Sequence, residues 1–169
     1  MTTAPVGDPA QNPALRDPAH QVSAKAPVLW AIGAAFRCVF LLVALVVAEL
    51  FWIDVPWWVW PPLVIASIAY VVAMPRVRYR IHRWESTDTA VYTQTGWLSR
   101  ERRIAPMSRV QTVDFEQGPI DRLFGLASVT VTTASAAGPL QISAIDKPVA
   151  DRLVDDLTRR TEAEAGDAT

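Results

Sequence analysis

Cysteine and histidine are scarce in this chain of 169 residues, and their scarcity removes whole classes of chemistry. The single cysteine, Cys38, lies in a long apolar run, so an internal disulfide and a thiolate metal site are both excluded. The only histidines are His20 and His82, and the sequence contains neither a P-loop nor a dinucleotide-binding glycine pattern. We therefore predict a protein that is not an enzyme and that uses no metal and no cofactor.

The sequence also lacks an excess of positive charge. It contains 16 Lys and Arg against 17 Asp and Glu, which gives a net charge of −1 and a pI near 6.1. Proteins that bind DNA or RNA carry a basic surface that neutralises phosphates. The composition therefore predicts no nucleic acid partner.

Charge is almost absent from two long apolar runs that follow each other closely. The first, from Trp30 to Ile53, contains only Arg37 and Glu49, and the second, from Trp57 to Met74, contains no charged residue. A helix needs about 20 apolar residues to cross the hydrocarbon core of a bilayer. Because a helix buried in a soluble domain usually keeps a polar stripe, we predict a two-helix transmembrane hairpin over residues 28–75.

The flanks of the two runs indicate how the hairpin sits in the membrane. Arg37 and Glu49 are about 12 residues apart, so they lie near opposite ends of one helix and can reach different interfaces. Pro61 and Pro62 are expected in the first turn of the second helix, where proline is tolerated. Indole side chains favour membrane surfaces. The connector region carries Trp52, Trp57, Trp58 and Trp60.

The distribution of arginine predicts the orientation of the hairpin. Four arginines follow the second run, whereas the connector carries only Asp54. Loops rich in Lys and Arg stay in the cytoplasm, and two spans return the chain to the same side. We therefore expect both termini in the cytoplasm. The four arginines are Arg76, Arg78, Arg80 and Arg83.

Outside the hairpin the chain divides into two tails and one domain. Residues 1–27 are rich in Pro, Ala and polar residues, so they bury too little apolar surface to order themselves and are predicted to be a disordered cytoplasmic tail. Residues 76–161 suffice for one small domain with its own core. Residues 162–169 are expected to fray.

Short segments rich in β-branched and aromatic residues alternate with Gly, Pro and Asp after the hairpin, which predicts antiparallel strands. Tight reversals are expected at 94–96 and 137–139, and a short helical crossover at 118–125. The predicted strands are 77–84, 90–93, 97–104, 110–116, 129–133 and 140–145.

An amphipathic helix is predicted after the last strand. Asp146 is placed to cap it, Pro148 falls in its first turn, and apolar residues then recur every four positions. The apolar residues are Val149, Leu153 and Leu157. Three acidic residues of this helix are interpreted as its solvated face, not as catalytic carboxylates. They are Asp151, Asp155 and Asp156. Strands followed by one such helix predict an α+β fold.

The most specific residues lie between Trp84 and Ile142. They are Pro106, Arg109, Val110 and Gln111, then Gln117, Gly118 and Pro119, then Arg122, Leu123, Phe124 and Gly125, and finally Thr132, Thr133 and Ala134. In these residues the chain resembles the bacterial PH-like, membrane-flanked (YdbS-like) family. The resemblance implies a pleckstrin-homology-like fold, a bent β-barrel of about seven strands closed by the C-terminal helix, on the cytoplasmic face of the bacterial plasma membrane. It implies no established enzyme activity. Ala144 departs from the pattern, because a Gly is often found there.

The motif residues have physical roles that can be argued separately. Gly118 and Gly125 suit positions that a side chain would strain, and Leu123 with Phe124 is expected to fill the barrel end. Three polar residues beside the crossover either tie it to the sheet through hydrogen bonds or form a contact surface for a partner or a lipid headgroup. They are Arg109, Gln111 and Arg122.

Two functions remain open at this stage. The first is an interaction module that assembles with copies of itself or with a related membrane-flanked PH-like protein, since confinement to a membrane raises the effective concentration. The second is recognition of anionic lipid headgroups by the arginines after the hairpin and by a strand cluster, because basic residues near an anionic leaflet attract it. The strand cluster consists of Arg100, Arg102 and Arg103.

Overall fold

The computed structural model describes residues 16–135 and 138–167. The strands and helices occur in the order β1, α1, α2, β2, β3, β4, β5, α3, β6, β7 and α4. The strands are β1 His20–Gln21, β2 Arg83–Ser86, β3 Ala90–Gly96, β4 Arg100–Pro106, β5 Val110–Glu116, β6 Leu126–Thr133 and β7 Leu140–Asp146. The helices are α1 Ala26–Phe51, α2 Trp60–Ile81, α3 Pro119–Phe124 and α4 Lys147–Asp167.

Helices α1 and α2 pack against each other as the predicted hairpin. Both are long and apolar enough to cross a membrane, and nearly all of their apolar windows face away from the rest of the protein. Pro61 and Pro62 occupy the first turn of α2, as predicted. A short 3₁₀ turn, Trp57–Val59, leads into that helix.

Helix α2 extends further than the sequence analysis predicted. The predicted strand at 77–84 is wrong over residues 77–81, which form the last turns of α2. The helix passes through Pro75 without ending there. Proline removes one backbone donor, but Arg76, Arg78 and Arg80 are good helix formers, and basic residues in a last turn complement the helix dipole.

The strands form two antiparallel sheets. The first has the order β1-β2-β3-β4 and the second the order β5-β6-β7. The two sheets are not closed into a barrel, so that part of the expected architecture is wrong. Strand β4 ends at Pro106, which lacks a backbone donor, and the 3₁₀ turn Met107–Arg109 then carries the chain into the other sheet.

The β3–β4 reversal lies three residues later than predicted. Gln94 and Thr95 belong to β3, and the loop consists of residues 97–99, because Gly96 is opposite Arg100 in the sheet. Gly96 has φ +125°, and a Cβ there would approach the Ser99 carbonyl oxygen to 1.8 Å. This position therefore requires glycine. In the other predicted reversal, Ala137 lies outside the described residues.

Helix α4 covers the second sheet and closes the core. It packs against β5, β6 and β7, and Leu153 and Leu157 are buried as its apolar spacing predicted. Their neighbours include Val129, Val131 and Ile145. The helix continues to Asp167, so fraying from residue 162 is wrong over 162–167, where alternating Glu and Ala favour helix. Residues 168–169 lie outside the described part.

The N-terminal segment is ordered where the structure describes it. Residues 1–15 of the predicted disordered tail lie outside the described residues, but residues 16–25 pack against the domain. Strand β1 pairs with β2, and the Ser23 hydroxyl donates to Asp146 Oδ1 at 2.9 Å. The prediction of disorder is therefore wrong for residues 16–25. Specific polar partners and the burial of Val22 in the core order this segment, although its apolar content is low.

Candidate functional site

The hairpin and the domain meet at a buried aromatic and basic cluster. Trp30 of α1 lies 4.9 Å from the His82 ring, measured between centroids, and the Arg78 guanidinium lies 4.3 Å from the centre of the indole. Arg78 Nε donates to His82 Nε2 at 3.3 Å, and His82 Nδ1 lies 3.0 Å from the Arg78 carbonyl oxygen. These contacts fix the end of α2 against the start of α1.

His82 is neutral in this environment. Burial, and to a smaller extent the positive charge of Arg78, lower the pKa of His82 to about 4, although backbone hydrogen bonds act in the opposite direction. With Nδ1 donating to the Arg78 carbonyl and Nε2 accepting from the guanidinium, both ring nitrogens are satisfied in the neutral form. His82 therefore has a structural role at this junction.

A polar chain runs from the junction to the N-terminal segment. The side-chain amide of Gln94 is buried and donates to the Ile81 carbonyl oxygen at 3.0 Å. Arg102 Nε donates to Gln94 Oε1 at 2.8 Å, and the same guanidinium forms an ion pair with Asp17. Arg102 of β4 thus bonds both to Gln94 of β3 and to Asp17 of the N-terminal segment.

A cavity of about 320 Å³ lies between the hairpin and the β3–β4 loop. Its helical wall includes Arg37 and Arg78, and its other wall includes Gly96 and Trp97. Trp97 makes an edge-to-face contact with Tyr70 of α2, with ring centroids 5.8 Å apart. The loop therefore touches a helix that is apolar enough to lie in a membrane.

The four arginines after the second run do not form one surface. Arg76 and Arg80 are exposed on the last turns of α2, and Arg76 Nη1 donates to the Val72 carbonyl oxygen at 2.6 Å. Arg78 points into the junction described above. Arg83 is in β2 and donates to the Pro18 carbonyl oxygen at 3.5 Å.

The strand cluster is also divided. Arg102 and Arg103 lie opposite Gln94 and Thr93, which are consecutive in β3, so the two arginines face opposite sides of the sheet, as predicted. Arg103 pairs with Glu101 and donates to the Pro139 carbonyl oxygen at 3.1 Å. Arg100 is exposed at the start of β4.

A second cavity, of about 350 Å³, lies beside β4. It brings Arg109 near Arg102 and Arg103 and also includes Thr133. Arg100 does not line it. The structure therefore groups three basic residues here, but two of them already have carboxylate partners within the protein.

The motif residues act mainly through the backbone, by ending a strand, forming a backbone hydrogen bond or shifting the strand register. Pro106 ends β4, the Arg109 carbonyl accepts from the Ala134 amide at 3.0 Å, and Gln111 is the extra residue at a register shift in β5. The side chains of Arg109, Gln111 and Arg122 are exposed and bond to no residue in the described ranges. Gln117 ties the crossover to the sheet instead, donating to the Leu126 carbonyl at 2.8 Å.

Helix α3 is built as the motif predicted, with one exception. The Asp121 carboxylate accepts from the Gly118 amide at 3.1 Å, Pro119 occupies the first turn, and Gly125 ends the helix with φ +66°. Phe124 packs against the core, but Leu123 is 85% exposed, so its expected role in filling the domain is wrong. Consecutive helical residues are about 100° apart, and only one of the two can face inward.

The architecture agrees with the comparison to known proteins. The family model described as a bacterial PH domain matches residues 28–161, which include both the hairpin and the domain. The chain belongs to the bacterial PH domain family. It is also 32% identical over 148 residues to the UPF0699 transmembrane protein YdbS of Bacillus subtilis (strain 168), across 84% of this chain and 92% of that protein. No solved structure matches it.

These likenesses fix the coarse character of this bacterial PH domain protein. The related protein is a transmembrane protein, and within residues 16–135 and 138–167 the helices with the length and composition of spans are α1 and α2. The chain is therefore a membrane protein with two spans and a membrane-associated PH-like domain.

Sequence reasoning missed the junction of this bacterial PH domain with its hairpin. Ala26, Trp30 and Ala34 are buried and recur every four residues, which marks the face of α1 that packs against the rest of the protein. Ala26 and Trp30 belong to the core of the domain. That spacing was visible in the sequence. The role of Gln94 was not, because a polar residue inside a strand has no pattern that announces a buried hydrogen bond.

Proposed function

We propose that this bacterial PH domain protein is a membrane-anchored assembly module that works by contact and not by catalysis. The observation that carries the proposal is the open outer edge of β4, which has no partner strand in either sheet of the described chain. An unpaired edge strand is a template for pairing with another chain. The proposed partner is a second copy or a related membrane-flanked PH-like protein.

The composition of this edge supports controlled pairing. Most β4 side chains are exposed, and Ile104 is an apolar residue that is 48% exposed on the strand. Four charged residues precede it on the strand, and charge on an edge opposes unspecific aggregation. An apolar contact next to charged residues therefore favours a matched partner over random association.

Anchoring in the membrane strengthens association through any contact that the domain makes. We place the domain on the cytoplasmic side of the bacterial plasma membrane, since the arginines after the second run favour that side. Two spans then keep both termini in the cytoplasm. Confinement to one plane raises the effective concentration of partners without a new contact, so a modest edge suffices for assembly.

Lipid recognition by the strand cluster has less support. Arg102 and Arg103 already have internal carboxylate partners and face opposite sides of the sheet. Binding a headgroup there requires those contacts to be exchanged. The exchange offsets most of the gain from a new ion pair.

The test of assembly uses the full chain in a mild detergent. We expect a defined oligomer by light scattering coupled to size exclusion, and we expect Ile104→Lys to dissociate it. Ile120→Lys is the matched control, because Ile120 is similarly exposed on α3 but lies away from β4. A monomeric wild type, or dissociation by the α3 variant alone, would contradict assembly through the β4 edge.

A further inference from the structure

The cavity between the hairpin and the β3–β4 loop concentrates positive charge beside the membrane. Arg37 and Arg78 both line it, so two guanidinium groups face one cavity. Neither guanidinium forms a salt bridge with any carboxylate in the described ranges. Two unpaired like charges repel, so an anion between them is stabilising.

The two arginines are not equally free to bind. Arg78 is held by His82 and by the Trp30 ring, so its position is fixed. Arg37 is exposed and makes no hydrogen bond or ion pair with another described residue. One guanidinium is thus preorganised, and the other can close on a ligand. A guanidinium can bind two oxygens of one phosphate group through parallel hydrogen bonds.

The depth of the cavity identifies where its ligand comes from. Arg37 and Phe51 are about 14 residues apart on α1, or about 21 Å along the helix, whereas a hydrocarbon core is about 30 Å thick. When Phe51 lies at the far boundary of the core, the Arg37 backbone therefore lies about 9 Å inside the cytoplasmic boundary, and its long side chain can reach back towards the headgroups. A ligand at this depth arrives from the lipid phase.

The β3–β4 loop has the composition of a membrane contact. Trp97 packs against Tyr70 of the span, and Leu98 at the tip of the loop is 82% exposed. An indole beside an exposed leucine suits the boundary between headgroups and acyl chains. The cavity therefore has a basic interior and an apolar rim on its membrane side.

We propose that this cavity binds the phosphate group of an anionic phospholipid. Arg37 and Arg78 donate hydrogen bonds to the phosphate oxygens, while Trp97 and Leu98 contact the glycerol and the upper acyl chains. A zwitterionic lipid brings its own cation next to the two arginines and is disfavoured. The site is separate from the β4 edge and does not depend on assembly through it.

The experiment measures binding of phosphatidylglycerol to the full chain in a mild detergent by native mass spectrometry. Phosphatidylcholine and inorganic phosphate are the comparison ligands. Arg37→Gln removes the free guanidinium, and Arg76→Gln is the matched control, since Arg76 is exposed at the same end of the hairpin but does not line the cavity. The melting temperature without added lipid verifies folding of each variant, and Arg37→Lys keeps the charge without the two-pronged geometry.

We expect wild type to prefer phosphatidylglycerol. Arg37→Gln should weaken that binding about tenfold, which corresponds to loss of one charged hydrogen-bonding group. Arg37→Lys should fall between the two, and Arg76→Gln should bind within about twofold of wild type. Equal losses in the Arg37 and Arg76 variants would show diffuse attraction and overturn the site. Unchanged binding by Arg37→Gln, no preference over phosphatidylcholine, or displacement of the lipid by inorganic phosphate would overturn it as well.

Discussion

The two ends of the hairpin have similar apolar compositions but different surroundings. At the end next to the domain, Ala26, Trp30 and Ala34 are buried against protein. At the far end, Phe51, Trp52 and Trp57 are largely exposed in the protein and available to lipid. Hydrophobicity alone therefore does not define the extent of a span, because part of an apolar run can serve as the core of an attached domain.

The comparison is tested most strongly by removing one indole from each end. Trp30→Ala should lower the free energy of unfolding by about 3 to 5 kcal/mol, because Trp30 is 8% exposed and contacts both Arg78 and His82. Trp57→Ala should change it by less than about 0.5 kcal/mol, since Trp57 is 80% exposed. Urea unfolding of the full chain in detergent measures both.

Trp30→Ala leaves the far end unchanged in sequence, so its detergent binding should match wild type, and the two variants separate the effect of packing from the effect of solvation. If the two variants lost the same free energy of unfolding, the near end of the hairpin would be an ordinary lipid-facing segment. Its burial against the domain would then contribute nothing to stability, and the contrast between the two ends would disappear.

Sequence reasoning succeeded where local patterns decide the structure. The hairpin, the crossover helix around Gly118 and Gly125 and the amphipathic face of α4 all follow from apolar spacing and from turn residues. It failed where tertiary contacts decide. The segment around Ser23 is ordered by partners more than 100 residues away, and the last turns of α2 look like a strand in a local window.

The candidate site shows the same division. Arginine content drew attention to the residues after the second run, but it could not distinguish Arg78, which is held within the junction, from Arg76, which is exposed. Arginine content also could not predict that Arg37 lies near the β3–β4 loop, because the position of that loop depends on how β3 packs against α2.

His82 provides a pH-dependent test of the near end. The folded state holds the pKa of His82 at about 4, below its ordinary value of 6.5, so between these pH values the unfolded chain binds more protons. The stability is fully present above pH 6.5 and is lost as the pH falls towards 4. The loss is about 3 kcal/mol for a shift of this size.

The measurement compares the pH dependence of unfolding in wild type and His82→Gln. Carboxylates titrate in both proteins, so the informative quantity is the difference between their slopes from pH 6.5 to 4. His82→Gln should have the shallower slope. Identical slopes for wild type and His82→Gln would mean that His82 binds its proton equally well in the folded and unfolded states, so that burial at the junction does not oppose protonation.

The smallest expected effect concerns the backbone that receives the N-terminal segment. Ala144 has φ +57°, and its carbonyl accepts from the Ser23 amide at 3.0 Å. A residue with a Cβ loses about 1 to 2 kcal/mol in the left-handed region, which glycine avoids. Replacing Ala144 by glycine relieves this strain, but it also removes a buried methyl group and raises the conformational entropy of the unfolded chain.

Ala127→Gly is the matched control, because Ala127 is equally buried and lies opposite Ile145 in the adjacent strand without a positive φ. Both variants lose one methyl group and gain the same freedom when unfolded, so those contributions cancel in the comparison. Ala144→Gly should therefore be more stable than Ala127→Gly by about 1 to 2 kcal/mol in urea unfolding. Equal stabilities would show that residue 144 is unstrained, and the near end would then owe its order to side-chain contacts alone.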